Sequence, residues 1–211
     1  MNKVNKPNIT AEKLITDFDS FFEQSDPYIT DLVIENCVIV AKDIEGIEFI
    51  NVVFRQVVFE EVVFEKMYLR DVQFERCNLS NAQFDEVTMQ GVEFNRCQLT
   101  GIMMGDGRFQ HVSFNHCNLQ LAGMGYCTQK FVHYRECLLR QVDFYHNKWN
   151  KVYFDICELS GANFSNTALK DIDFSSSTFD QITVRMQDLK GCIVNQTQAQ
   201  QLSTLLGLIV K

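Results

Sequence analysis

The chain is expected to fold as an all-β solenoid, a square β-helix that turns a corner every five residues, and three observations carry that expectation. Apolar residues recur at every fifth position from Ile34 to Val194 with no insertion or deletion. Of the 33 such centres only Gln129 is not hydrophobic, and 14 of the 18 phenylalanines stand there together with the single Trp149. Two residues before each centre comes a second inward position, held by small or β-branched residues such as Val52, Val57, Val62, Cys77, Ala82 and Val92, with Lys42, Met67, Asn147 and Gln187 the clearest exceptions. Finally, centres 20 residues apart repeat one side chain: Phe54, Phe74, Phe94, Phe114, Tyr134, Phe154 and Phe174 on one face, Leu79, Leu99, Leu119, Leu139 and Leu159 on the next.

A period of five fits neither regular element. A helix at 3.6 residues per turn would smear the centres around its axis, and a strand would place successive centres on opposite faces. A chain that bends every five residues points two side chains in and three out, and four such segments close a coil of 20. At ~4.8 Å between paired strands, about eight coils make a rod ~40 Å long.

Three regions follow. Residues 1–31 form an N-terminal capping segment in which Leu14, Ile15, Phe18, Phe21 and Phe22 fall at helical spacing behind a Thr10 cap. This helix is expected to cover the apolar collar of Val53, Val58 and Val63 on the first coils. Residues 32–194 are the solenoid. Residues 195–211 form a tail in which Thr197 and Gln200 read as a capping box for a short helix through Leu202, Leu205 and Leu206. Gly207 stops that helix, and Leu208, Ile209 and Val210 continue as a short strand. Such a tail either caps the last coil or pairs with another subunit. Because an uncovered coil end is an exposed sheet edge, the reading adopted is a homodimer through Leu202, Leu205, Leu206, Leu208, Ile209 and Val210.

Composition is consistent with this plan. The 211 residues include two prolines and ten glycines, too few for long linkers. The N-terminus has lysines but no apolar h-region, and no run of 18 apolar residues occurs, so a soluble cytoplasmic protein with no membrane contact is expected. All eight cysteines (Cys37, Cys77, Cys97, Cys117, Cys127, Cys137, Cys157 and Cys192) fall at the inward position two before a centre, five of them 20 apart. Parallel side chains in a packed column point the same way, so they are read as reduced small hydrophobes, not disulfides or metal ligands.

Catalysis finds little support. His111, His116, His133 and His146 map outward without a recurrent carboxylate or thiol partner, Asp171-Ile-Asp173 is a lone pair of acids, and the stretch Gly101 to Gly107 lacks the lysine and hydroxyl of a phosphate loop. No enzyme, cofactor or metal is expected.

The outside of the rod sorts by charge. The face centred on Phe64, Phe84, Met104, Met124, Phe144 and Phe164 carries Asp43, Glu45, Glu65, Asp85, Glu86, Asp106 and Asp143 against Lys66 and Arg185, seven acids less two bases for −5. The next face has Arg70, Arg108, Lys130, Lys148, Lys151, Lys170 and Lys190 against Glu48, Asp71, Asp171 and Asp188, for +3. Cross-rung ion pairs are expected between Arg55 and Glu75 and between Arg135 and Asp155. Between Leu121 and Phe131 the pattern loosens around Gly123, Gly125 and Gln129: either a tolerated defect or slight bend, or an exposed aromatic contact through Tyr126 and Phe131.

The V-x-F, C-x-L and A-x-F pentads over roughly residues 32 to 194 resemble the pentapeptide-repeat family, whose members form a right-handed quadrilateral β-helix. With its apolar tail from Gln198-Ala199-Gln200-Gln201-Leu202 to Leu208-Ile209-Val210, the chain looks like the Qnr and MfpA group, and its gapless register like the loopless Gram-positive and mycobacterial type. That resemblance implies a DNA-mimicking homodimer that binds DNA gyrase or topoisomerase IV and protects it from quinolones or related poisons, without binding nucleic acid itself. The charge is thin for this role: net −8 over ~40 Å is roughly 0.2 per Å, against about 0.6 per Å for duplex DNA. Shape and the acidic face would have to supply the rest. A scaffold or protein-interaction solenoid unrelated to topoisomerases is the alternative.

Overall fold

The computed structural model describes residues 4–19, 27–40 and 42–208. Among the described residues the strands are β1 (Lys13–Ile15), β2 (Tyr28–Glu35), β3 (Val38–Val40), β4 (Glu48–Arg55), β5 (Val58–Glu60), β6 (Tyr68–Glu75), β7 (Thr88–Asn95), β8 (Arg108–Asn115), β9 (Thr128–Arg135) and β10 (Lys148–Asp155). One parallel sheet runs β1-β2-β4-β6-β7-β8-β9-β10, and β3 pairs with β5. From β2 onward every strand pairing joins residues 20 apart, as in Phe54 with Phe74 and Val112 with Val132. The remaining faces are stitched by single bridges at the same interval, such as Asn118 to Leu138 and Gly123 to Asp143. The result is a parallel β-solenoid of about seven turns.

The corners have a single backbone cause. From Asp31 to Gly191 every left-handed residue among those described stands at a number ending in 1 or 6, two after a centre. Each long strand bends through one of them: Asp31, Asn51, Asp71, Gly91, His111, Phe131 and Lys151 sit mid-strand with φ between +53° and +64°. A left-handed L-residue costs about 1–2 kcal/mol, a cost offset by the ladder on both sides. Ile156, β-branched with φ +55° and 65% exposed, is the most strained of these corners. After Asp171 the left-handed corners lapse until Gly191, and a 3₁₀ turn at Met186–Leu189 takes their place. The eighth regular coil anticipated from the count is therefore lost there.

Stacked columns make the core. Phe54, Phe74, Phe94, Phe114, Tyr134 and Phe154 lie with centroids 4.8, 4.6, 4.8, 5.0 and 5.0 Å apart and near-parallel rings. All eight cysteines are free, and six are buried. In the column of five, each thiol points at the carbonyl 23 residues earlier, Cys117 Sγ to Phe94 O at 3.5 Å for example. Burial pushes the Cys127 thiol up to about 12 and Cys192 to about 11. Thr167 and Ser177 use their hydroxyls in the same way at 2.6 and 3.3 Å, so the position selects a small donor rather than sulfur chemistry.

The irregular stretch does not break the ladder, whose pairing runs through Thr128 and Gly123 at the usual interval. Met103 folds over Gly123, its methyl carbon 2.6 Å from where a Cβ would stand, so a larger residue there would displace the flexible end of that side chain. Gln129 is fully buried, and the Tyr134 hydroxyl donates to its Oε1 at 3.1 Å. The Tyr134 hydroxyl thus finds an oxygen acceptor inside the column, while the buried Gln129 Nε2 is left without a partner among the described residues. Replacing Gln129 by leucine alone is expected to cost about 1 kcal/mol, because the buried hydroxyl keeps only the Met124 sulfur at 3.6 Å as acceptor, a loss partly offset by removal of the unpartnered Nε2. Adding Tyr134→Phe should recover most of that loss, a coupling that a double-mutant cycle by urea denaturation measures; additive losses would show the pair to be independent.

Both ends differ in detail from the sequence reading. Leu14 and Ile15 belong to a strand: Lys13–Ile15 pairs in parallel with Leu32–Ile34 and extends the sheet by one rung. Helix begins only at Phe18, whose ring is buried against Phe49; Phe21 and Phe22 lie outside the described residues. Thr10 caps no helix, since its N–H and hydroxyl both engage Asn51. An exposed sheet edge competes for such a segment more strongly than helical spacing holds it. At the other end, helix α1 (Gln196–Ser203) is capped by Asn195 with Gln198, one pair earlier in the chain than Thr197 with Gln200. Gly207 ends the following turn with φ +72°.

Candidate interaction surface

The seven acids of the sequence-predicted stripe occupy three adjoining columns on one face. Glu45, Glu65 and Asp85 are successive members of one column, Glu86 and Asp106 of the next, while Asp43 and Asp143 share a third, five rungs apart. Their duties differ. Asp85 Oδ1 accepts the Gly105 N–H at 2.9 Å, and Asp143 Oδ1 accepts Tyr145 N–H at 3.0 Å and Asn163 Nδ2 at 2.8 Å. Glu45 is paired with Lys66, which holds its carboxyl below the usual carboxylate range. Asp43, Glu65, Glu86 and Asp106 are exposed and form none of the ion pairs found among the described residues, so they carry the outward field of this face.

The two candidate aromatics part company. Tyr126 is 56% exposed at the upper end of the acidic columns and meets Tyr145 and His146 with centroids at 5.3 Å. Partial desolvation, Tyr145 and the charges of Asp106 and Asp143 push its hydroxyl up. Phe131 lies one corner further on, half-buried, with its ring stacked on His111 at 4.7 Å and covered by Lys151 Nζ at 4.7 Å. Its faces are already occupied, so it does not join Tyr126 in one contact. Tyr145, His146 and exposed Met103 complete the patch; reading the outward columns as well as the inward ones would have grouped them.

Two histidines, contrary to the sequence reading, have carboxylate partners across the rungs: His116 with Glu136 at 3.2 Å and His133 with Asp155 at 2.7 Å. Asp155 therefore pairs with His133 and not with Arg135, whereas Arg55 bridges both Glu35 and Glu75 at 2.9 and 3.2 Å. Ser113, His133 and Asp155 line one polar groove. No hydrogen bond joins Ser113 to His133 among the described residues, and the strands beneath them pair residue for residue, so their amides serve the ladder rather than a developing oxyanion.

At the C-terminal end Leu202 is half-buried against the core, while Leu205 and Leu208 are 38% and 55% exposed. Met186, Leu189, Cys192 and Val194 line an apolar hollow beside them. Of the other expected interface residues, Ile209, Val210 and the side chain of Leu206 lie outside the described residues. No helix among the described residues is long and apolar enough to cross a membrane.

Models of known families match almost the whole solenoid. The pentapeptide repeat region model covers residues 29–104 and 87–164, and the pentapeptide repeats (8 copies) model covers residues 157–181. Among solved structures, full-length QnrB1, a plasmid-mediated fluoroquinolone resistance protein, is 20% identical over 93% of this chain and 95% of its own, with a TM-score of 0.39. HetL, involved in heterocyst differentiation regulation in Nostoc sp. strain PCC 7120, is 10% identical over 88% and 98%, with a TM-score of 0.36. Rfr23 from Cyanothece 51142 is 8% identical over 83% and 97%, with a TM-score of 0.33. No curated protein sequence matches the chain. Five-residue corners, 20-residue register and the two family models together establish that this chain belongs to the pentapeptide-repeat family.

Proposed function

We propose that this rod binds a type II topoisomerase, DNA gyrase or topoisomerase IV, through its acidic face and protects it from quinolones or related poisons, acting as a homodimer joined at the C-terminal end. The observation that carries the reading is the contiguous set Glu65, Glu86 and Asp106, exposed on neighbouring rungs with Tyr126 at its upper margin. A surface that receives DNA is cationic, and charge complementarity raises encounter rate and fixes orientation. Exposed Leu205 and Leu208 beside the hollow of the last coil support joining of two copies there.

The test is supercoiling by purified gyrase with a quinolone across a titration of this protein. Rescue of supercoiling is expected, and simultaneous reversal of Glu65, Glu86 and Asp106 to lysine should weaken binding by more than about tenfold with the melting temperature unchanged. Asp85 is left out of the set because it holds the Gly105 amide. Unchanged binding would reduce the stripe to a solubility device. A second reading, a scaffold that binds an unrelated protein, is favoured by the structural duties of Asp85, Asp143 and Glu45, which leave fewer free acids than the sequence counts. No effect of the protein on either topoisomerase would support it.

A further inference from the structure

The N-terminal segment ahead of β1 is bound along the rod by a column of corner side chains. Asn51 Oδ1 accepts the Thr10 and Ala11 N–H groups at 2.7 and 3.2 Å, Asp71 Oδ1 accepts Asn8 N–H at 2.8 Å, and His111 Nδ1 accepts Asn5 N–H at 3.2 Å. Between the last two, Pro7 passes over Gly91, its Cα 3.8 Å from where a Cβ would stand. Asn51, Asp71, Gly91 and His111 are 20 residues apart, so Thr10 to Asn5 climbs three rungs, ~14 Å at the spacing of paired strands. Five extended residues reach about 17 Å, so the segment is nearly taut. Its tip, Val4 to Lys6, forms one wall of the polar groove that runs over Glu93, Asn115, His133 and Tyr153.

These anchors differ in chemistry. Asn51 accepts at any pH, and Asp71 accepts as long as it is ionised. His111 accepts at Nδ1 only as the neutral ring; a protonated ring has two donors and faces the Asn5 N–H with a like group. We propose that this arm is a strap whose outer end unlatches from His111 when the ring takes up a proton, opening the groove on the adjoining face, while Asp71 and Asn51 keep the inner end attached.

The surroundings set the direction. Partial burial and the Lys130 ammonium on β9 hold His111 below its ordinary value. Lys151 on β10 lies beyond the stacked Phe131, Lys6 follows Asn5 in the arm, and Arg108 is three residues earlier on its own strand. A histidine with a depressed value contributes to the docked state above the ordinary value of about 6.5, and that contribution is lost as pH falls towards the lower, docked-state value. The strap is therefore closed at neutral pH and opens on acidification.

Amide NMR of the full chain from pH 8 to pH 5 tests this. The contact between the Asn5 amide and the His111 ring should weaken with a midpoint below about 6.5, the closed fraction falling about fivefold, while the Asn8 and Thr10 amides stay in place. In His111→Gln, whose side-chain oxygen accepts at every pH, Asn5 should remain docked throughout. In His111→Phe it should be free throughout. An Asn5 contact that persists unchanged to pH 5 in the native chain, or an identical transition in His111→Gln, overturns the proposal.

Discussion

Phe94→Ala is expected to destabilise the rod by about 4 kcal/mol and to split its unfolding into two transitions. Phe94 is fully buried and stacked between Phe74 and Phe114 at 4.6 and 4.8 Å with planes within 7°. Its removal opens a cavity that neighbouring rungs cannot fill without shifting a hydrogen-bonded ladder. It also interrupts two ring contacts, each worth about 0.5–1.5 kcal/mol beyond burial. In a solenoid each coil touches only its neighbours, so stability is a sum of local terms and nearest-neighbour interfaces. A break at the middle coil uncouples the halves. Trp149 reports on the later half alone, whereas far-ultraviolet circular dichroism reports on both. In the native chain the two signals should coincide in urea; in Phe94→Ala they should separate. Coincident transitions in the variant would show cooperativity to be carried by the backbone ladder and not by the stack.

Gln198→Leu should cost about 3 kcal/mol, although glutamine is ordinarily a surface residue. Gln198 is 2% exposed; its Nε2 donates to Phe174 O and Ser177 O, both at 2.8 Å, and its Oε1 accepts the Asn195 N–H at 2.9 Å. It closes the solenoid by serving carbonyls that a further coil would otherwise have bonded, and it also forms half of the capping box of α1. Leucine fills the volume but leaves two buried carbonyls without donors. Gln200→Leu, at an exposed position of the same helix, should stay within about 0.5 kcal/mol. Thermal melts of the two variants separate the roles: equal losses would place the cap elsewhere.

That contrast shows where sequence reading stops. The spacing Thr197 to Gln200 matched a capping box as well as Asn195 to Gln198 did; only the second pair lies over the open carbonyls of the last coil. Likewise Leu14, Ile15 and Phe18 satisfy helical spacing, yet the unpaired edge of β2 draws Lys13–Ile15 into a strand. Local pattern measures which faces a segment could bury, and the neighbour decides which of them it does bury. The acidic face was legible because charge needs only a position on a known rung. Its division into structural and free acids was not, because that depends on whether an amide such as that of Gly105 lies within reach.

The sequence by itself determined the rod: an unbroken five-residue count forces a corner at each pentad, and its 20-residue harmonic stacks phenylalanine on phenylalanine and cysteine on cysteine. It also determined that the cysteines are interior, since their register leaves no other direction. Only the tertiary structure decided how the ends close, that Phe131 is covered while Tyr126 is exposed, and that residues 4–11 lie across four rungs on Asn51, Asp71, Gly91 and His111. The physical reason is the range of the interactions. Periodic burial repeats along the chain and is written in it many times over, whereas an end cap or a strap is a single contact between residues up to 106 apart, made once and by groups that have no period.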